Sequence, residues 1–197
     1  MNKTISILLM ALALAVPALA AVTTRLNLQT AFNSELNAEV RYKAFATKAD
    51  IEGFPGVAGV FRAIAFSESV HAANHAKALK ALGGDPVEVL KVFEAKTTKT
   101  NLEAALRAEM NESGQIYPAF VKQAVREGNA QATVSLKGAM ASEGGHARIF
   151  MRLLKAAADW KSKMATIVCK TCGYSTEELN IKLCPFCKHP RGEFAEM

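Results

Sequence analysis

The chain has 197 residues, half of them hydrophobic and 21% charged, a composition that excludes an intrinsically disordered protein and allows a medium-sized domain with a small module attached. Its formal charge of +6 is spread along the chain, Lys and Arg alternating with Glu and Ala, and no basic run is interleaved with aromatics, so nucleic-acid binding is not expected. All four cysteines fall between positions 169 and 187, which sets off a short C-terminal module from a cysteine-free body long enough to bury its own core.

Lys3 precedes an apolar run from Ile5 to Leu19 that ends in Ala18-Leu19-Ala20, a small-x-small pattern. Residues 1–20 are therefore expected to be a signal peptide cleaved near Ala20, with export to a bacterial periplasm. An uncleaved anchor is the rival, but the run falls short of the about 20 apolar residues that a spanning helix needs. No cysteine follows for lipid attachment and no Arg-Arg pair precedes, which points to export as an unfolded chain with metals loaded afterwards. No further membrane span is expected.

Helical spacing of Leu28, Ala31, Phe32, Leu36, Val40 and Phe45 predicts a first helix from about Leu28 to Asp50, stopped by Gly53-Phe54-Pro55-Gly56. A second runs from about Val57 to Leu82 and ends at Gly83-Gly84-Asp85-Pro86. The stretch from Asp85 to about Thr97 reads as a connection joining two hairpins across the end of a bundle. A third helix, about Thr100 to Glu127, contains Pro118, which should kink or bulge it one turn beyond Glu112. The fourth is expected from about Ala130 to Lys161, with Gly144 and Gly145 each costing about 1 kcal/mol relative to Ala, a local conflict of the kind that gathers at functional sites or close helix contacts. Strand-like Ile167-Val168 then leads into the cysteine module.

One pattern occurs twice along these helices: Glu35 followed by Glu68-x-x-His71, and Glu109 followed by Glu143-x-x-His146, at intervals of 33 and 34 residues. Residues three apart share a helix face, so each Glu-x-x-His aims a carboxylate and an imidazole at one point, and Glu109 and Glu112 repeat the spacing. Any one of these residues alone would more simply be a satisfied polar residue. Together, five carboxylates aimed into a helical core would repel one another and lose hydration, a cost that cations offset. A Glu from each of two helices and Glu-x-x-His from two more is how carboxylate-bridged di-iron bundles are built, and one imidazole per metal suits iron or manganese better than copper or structural zinc.

Cys169-x-x-Cys172 and Cys184-x-x-Cys187 are two knuckles that can supply four thiolates to one iron or zinc. Iron is favoured because the module is attached to a redox-type bundle; a structural zinc ribbon is the alternative, and two disulfides, which an oxidising compartment would allow, are disfavoured because both pairs have ligand spacing.

With these residues in view the chain resembles the rubrerythrins from Leu26 to Phe194. The carriers are Glu35-Leu-Asn-Ala-Glu-Val-Arg-Tyr42, Glu68-Ser-Val-His71, Glu109-Met-Asn-Glu112 with Tyr117 five residues on, Glu143-Gly-Gly-His146, Cys169-Lys-Thr-Cys172-Gly-Tyr and Cys184-Pro-Phe-Cys187-Lys-His-Pro. The resemblance implies a mainly α protein, a ferritin-like four-helix bundle over 21–164 followed by a rubredoxin-like four-cysteine β module over 165–197. It implies two irons bridged by Glu68 and Glu143, Glu35 terminal on one, and Glu109 with His146 terminal on the other. Glu112 and His71 would exchange as ligands of one iron between oxidation states. Tyr42 and Tyr117 match tyrosines that hold ligand carboxylates, although spacing alone makes them equally good core residues. Glu39 is expected to pair with Lys43 on the surface in preference to joining the site, and His75 to be structural or exposed.

The activity so implied is a peroxidase of oxidative-stress defence: hydrogen peroxide reduced to water at the iron pair, with electrons relayed through the four-cysteine iron. The rivals are a ferritin-like iron-oxidising protein with a zinc module and a zinc-binding structural protein. The resemblance also implies a homodimer in which the cysteine module of one subunit sits beside the di-iron site of the other. No Gly-x-Gly-x-x-Gly follows a strand, so the electron donor is expected to be another molecule, a redox protein.

Overall fold

The computed structural model describes residues 23–197. Four helical rods are followed by a small sheet: α1 (Thr24–Ile51), α2 (Pro55–Ala81), a third rod made of α3 (Thr98–Asn111), a π-helical turn (Glu112–Ile116) and α4 (Tyr117–Arg126), α5 (Ala130–Lys155), and β1 (Ile167–Cys169), β2 (Ser175–Thr176) and β3 (Phe194–Glu196). The expected fold class is the one observed. Residues 1–20, on which the leader was placed, lie outside the described residues.

The turns follow from local chemistry. Thr23 caps α1 by accepting the Leu26 N–H at 3.2 Å, and Thr97 caps α3 by accepting that of Thr100 at 3.3 Å. Gly53, Gly83 and Gly128 take positive φ where helices end, and Pro55 opens α2 at a position whose N–H would be unpaired anyway.

The connection from residue 85 to 97 does not cross the end of the bundle as expected; it runs back along the flank of α1. Gln29, Asn33 and Asn37, one turn apart, present amides that bond the passing backbone: Val87 donates to Gln29 at 3.0 Å, Val89 to Asn33 at 2.8 Å and Lys91 to Asn37 at 2.7 Å. Thr98 then donates to Glu52 at the far end of α1 (2.9 Å), while Thr24 at the near end donates to Glu127 after α4 (3.1 Å). The third rod is thereby antiparallel to α1, and a full-length crossover is required to start it there.

Helix α5 ends at Lys155, earlier than the predicted Lys161. Ala156 breaks it, and a 3₁₀ turn (Ala157–Lys161) folds under the bundle, where the Trp160 indole donates to the Leu153 carbonyl at 2.7 Å and meets Phe54 edge-on at 5.1 Å. The turn lies so close to the start of α2 that a Cβ on Gly56 would come 2.2 Å from the Ser162 carbonyl oxygen.

Two hydrophobic clusters fill the bundle. Tyr42, Phe45, Phe61, Ile64, Phe150 and Leu153 form one, and Leu28, Leu79, Tyr117 and Leu136 the other. Each cluster contributes a tyrosine, and the carboxylates lie between the two.

In the sheet β1 is central and antiparallel to both neighbours, pairing Val168 with Ser175 and Cys169 with Phe194. The module is joined to the bundle by Arg152, whose Nε donates to Glu177 at 2.9 Å, and by Asn74, which donates to the Thr171 carbonyl at 3.0 Å.

Candidate metal centres

Glu35 on α1, Glu68 and His71 on α2, Glu109 on α3, Glu112 at the head of the π-turn, and Glu143 and His146 on α5 are all buried and converge. They form two four-residue sets: Glu35, Glu68, His71 and Glu143, and Glu68, Glu109, Glu143 and His146, the ligand atoms of each set lying within 4.8 Å of one another. Glu68 and Glu143 belong to both sets, so each could serve two cations. Glu112 belongs to neither; its Oε1 accepts the Ser34 hydroxyl at 2.6 Å, and His71 takes the place beside Glu35.

The carboxylates are held from behind. Tyr117 donates its hydroxyl to Glu35 Oε1 and Tyr42 to Glu109 Oε1, while Glu35 Oε2 and Glu109 Oε2, equally buried, have no hydrogen-bond partner. An anchored oxygen paired with an orphaned one is the arrangement a cation completes. The tyrosines serve in the core, and each also holds one oxygen of a buried carboxylate.

Electrostatics agree. Burial and the Glu68 charge push the Glu35 and Glu143 carboxyls well above the usual carboxylate range. Burial opposes ionisation of Glu68 as well, but the imidazoles of His146 and His71 outweigh it and hold that carboxyl down at about 2. Burial likewise opposes charge on His71 and His146, yet the surrounding carboxylates raise both. The metal-free cluster therefore retains protons that cations would displace.

Glu112 is pushed up to about 7 by burial and by Glu109, against the Ser34 hydrogen bond. Between its ordinary value and about 7 the folded chain keeps a proton that the unfolded chain releases, so stability falls as pH rises. Glu35, Glu143, His71 and His146 act in the same direction. His75, lowered to about 3 by burial and the His71 charge, acts the opposite way, but only below its ordinary value of 6.5, and the Cys169 thiol, brought down to about 5, does so up to its ordinary value of 9.0 and offsets one of these groups. Urea denaturation of metal-free protein is therefore expected to show stability dropping from pH 6.5 to pH 8, by up to about 1.4 kcal/mol per pH unit per group. Equal midpoints at the two pH values would contradict this.

Glu39 pairs with Lys43 on the surface, as expected. His75 is structural and not exposed: it is buried one turn past His71, its Nε2 3.0 Å from the Tyr117 hydroxyl and its Nδ1 2.8 Å from that of Ser135. Gly144 and Gly145 are not sites of close approach, since a Cβ on either would meet nothing nearer than 3.6 Å.

The four cysteine sulfurs form the third set, with Sγ separations of 3.6 Å for Cys169–Cys187 and 3.5 Å for Cys172–Cys184. All four are free thiols at tetrahedral-ligand spacing, which disposes of the two disulfides. Hydrogen bonds from the Cys172 thiol, and from the Cys172 and Thr171 backbone against the cost of burial, bring the Cys169 thiol down to about 5.

The first knuckle closes directly over the carboxylate site. Gly173, at φ +81°, follows Cys172, and a Cβ there would lie 2.2 Å from His71 Nε2. Its carbonyl accepts from Ser67 on α2 at 2.5 Å, Ser142 on α5 at 3.1 Å and Ser175 on β2 at 3.1 Å, and the last two hydroxyls lie 3.1 and 3.2 Å from His146 Nε2. Both ligand imidazoles thus turn one nitrogen to the carboxylates and the other to the knuckle. None of these serines was singled out from the sequence; only Ser142, one helical turn before His146, carries a positional hint.

A profile of the rubrerythrin family matches residues 27–154. Among similar proteins, rubrerythrin of Porphyromonas gingivalis is 33% identical over 182 residues, covering 88% of this chain and 90% of that one. Rubrerythrin of Nitratidesulfovibrio vulgaris is 34% identical over 179 residues, covering 87% and 92%. The fully reduced, all-ferrous structure of nigerythrin superposes with a TM-score of 0.83 at 26% identity, covering 93% of this chain and 91% of that one. The relatives are mainly cytoplasmic rubrerythrins, which overturns the expected export, cleavage near Ala20 and periplasmic location; a short apolar run is a weak signal beside that match. The family binds iron, and the donor sets here fit it: a carboxylate-bridged pair and a four-cysteine site. This chain belongs to the rubrerythrin family.

Proposed function

We propose that the protein is a non-haem di-iron peroxidase, reducing hydrogen peroxide to two waters with two protons and two electrons. The observation that carries this reading is the packing of Gly173, beside Cys172, against His71: a one-electron metal module is seated on a two-metal site. Storage or structural roles need no such contact. Glu35, Glu68, His71, Glu109, Glu143 and His146 would hold an iron pair that could supply both electrons at one place, and the four cysteines would hold an iron able to restore them one at a time. Glu112 is the remaining carboxylate, held in reserve by Ser34.

Peroxide has a plausible entry. A polar cleft of about 450 Å³ is lined by Asn33, Ser34, Asn37, Arg41 and Lys91, and Ser34 reaches from it to Glu112. Arg41 lies over the ring of Tyr42 at 5.0 Å and that of Phe93 at 5.7 Å, a cation fixed beside the entry. We assign the reductant to an external redox protein and the assembly to a homodimer, for which the exposed apolar run of Val87, Val89, Leu90 and Val92 along the crossover offers a surface.

The test is a single turnover. Protein with three irons per chain, fully reduced and mixed with one equivalent of peroxide, should lose two electrons from its iron pair first, after which the four-cysteine iron should be oxidised as it returns one electron to the pair, with no mineral formed. Zinc in the cysteine site, or excess ferrous iron oxidised by oxygen and retained, would favour the iron-handling alternative.

A further inference from the structure

His75 is fully buried, ligates nothing, and has both ring nitrogens engaged. The Tyr117 hydroxyl has one hydrogen, and it goes to Glu35 Oε1. The phenol oxygen therefore meets His75 Nε2 only as an acceptor, which places the ring hydrogen on Nε2. Nδ1 is then an acceptor, and the Ser135 hydroxyl donates to it across 2.8 Å. Ser135, half-buried, lines a surface cleft of about 470 Å³ between α2, the start of α5 and the cysteine module, beside Asn74 and Lys77. Every donor in the series points inward, from solvent to Ser135, His75, Tyr117 and Glu35.

We propose that Ser135, His75 and Tyr117 are a proton-delivery wire from this cleft to the metal pair. The proposal rests on the peroxidase reading, because peroxide reduction consumes two protons at a site whose carboxylates are buried. A solvent proton taken up at Ser135 lets its own hydrogen pass to His75 Nδ1, the Nε2 hydrogen to Tyr117 and the phenol hydrogen to Glu35. Only O–H and N–H bonds are exchanged, the charge ends at Glu35, and the electrons come from the metal pair. One passage leaves the imidazole in the opposite tautomer, so the ring must be reset before the next. The surroundings suit a relay better than a charged base: burial beside His71 keeps the ring neutral. The tyrosine ring stacks on it at 5.8 Å, fixing the geometry.

His75→Gln separates conduction from support, because the amide can bond to both neighbours but cannot exchange one hydrogen for another between two nitrogens. With iron content and helicity equal to the parent, oxidation of the iron pair by peroxide should slow at least tenfold and its solvent deuterium isotope effect should change. Should His75→Gln lose iron, Ser135→Ala at the outer end gives the same reading. Independently of turnover, ¹⁵N spectra of metal-free protein should show His75 as the neutral Nε2–H tautomer from pH 5 to pH 8, with Nδ1 shifted in Ser135→Ala. Unchanged rates in both variants, or an Nδ1–H tautomer, would overturn the wire. Failure of the parent protein to react with peroxide would instead overturn the peroxidase, leaving the tautomer to decide on the wire.

Discussion

Glu143→Gln is expected to cost the protein its paired iron while leaving the metal-free fold about as stable as before. Glu143 belongs to both four-residue sets, so its loss removes a ligand from each metal at once. In the metal-free chain burial and the charge on Glu68 hold its carboxyl well above the usual range, which disfavours its charged form, and glutamine matches the neutral carboxyl closely in shape. Total iron should fall from three per chain to one, peroxide reduction should drop by at least a hundredfold, and the thermal midpoint of metal-free protein should move little. A variant that keeps three irons would show that Glu143 is not a bridge. The contrasting change is Glu68→Gln: Glu68 is the ionised partner of both imidazoles, so its removal should destabilise the metal-free fold, by about 3 kcal/mol or more on the scale of broken buried ion pairs.

Gly173→Ala should disconnect the two metal sites without emptying either. The residue sits at φ +81°, where a side chain costs about 1–2 kcal/mol, and its new methyl would overlap the His71 ring at 2.2–2.4 Å. The knuckle can relieve the overlap only by lifting, and in doing so it must give up the three serine hydroxyls on the Gly173 carbonyl. Stopped-flow absorbance should find the four-cysteine iron oxidised at least tenfold more slowly after peroxide, with three irons still bound. An unchanged rate would mean that electrons reach the pair by another route.

The ligands were legible because helical spacing converts directly into a shared face: a Glu and a His three apart need no tertiary information to be placed together. The same logic reached the third rod, where Pro118 announced a local irregularity, although the distortion begins at Glu112 itself and precedes the proline. The crossover was misplaced because its path is set by Gln29, Asn33 and Asn37, residues that read simply as a polar helix face until a backbone is laid along them. The fourth helix was extended too far for a related reason: Trp160 looks helical in periodicity, and only its packing on Phe54 beneath the bundle shows why the chain turns earlier. Ser34, Ser67 and Ser175 could not be singled out, since each gains meaning here only from a partner 29 to 106 residues away, whereas Ser142 has His146 within one helical turn. His75 was one turn from a recognised ligand and was set aside because no second ligand spacing included it.

The π-turn from Glu112 to Ile116 holds one residue more than the α-helical path would use, and with it a shift of phase. Glu112 and Tyr117 are five apart, a spacing that an unbroken α-helix would splay by about 140° around its axis. The wider turn brings both back toward the bundle interior, Glu112 to Ser34 and Tyr117 to Glu35. Removing the extra residue, for instance at solvent-facing Gly114, would leave Glu112 and Tyr117 four apart, about 40° from one another on a regular helix, and so still on one face. Winding the same residues as unbroken α-helix would instead rotate every downstream side chain by about 100°, taking Tyr117 from Glu35 and the hydrophobic stripe of α4 from α5. The irregularity thus acts as a frame marker: it absorbs the extra residue locally, so that the half of the rod that binds metal and the half that supports it keep one register.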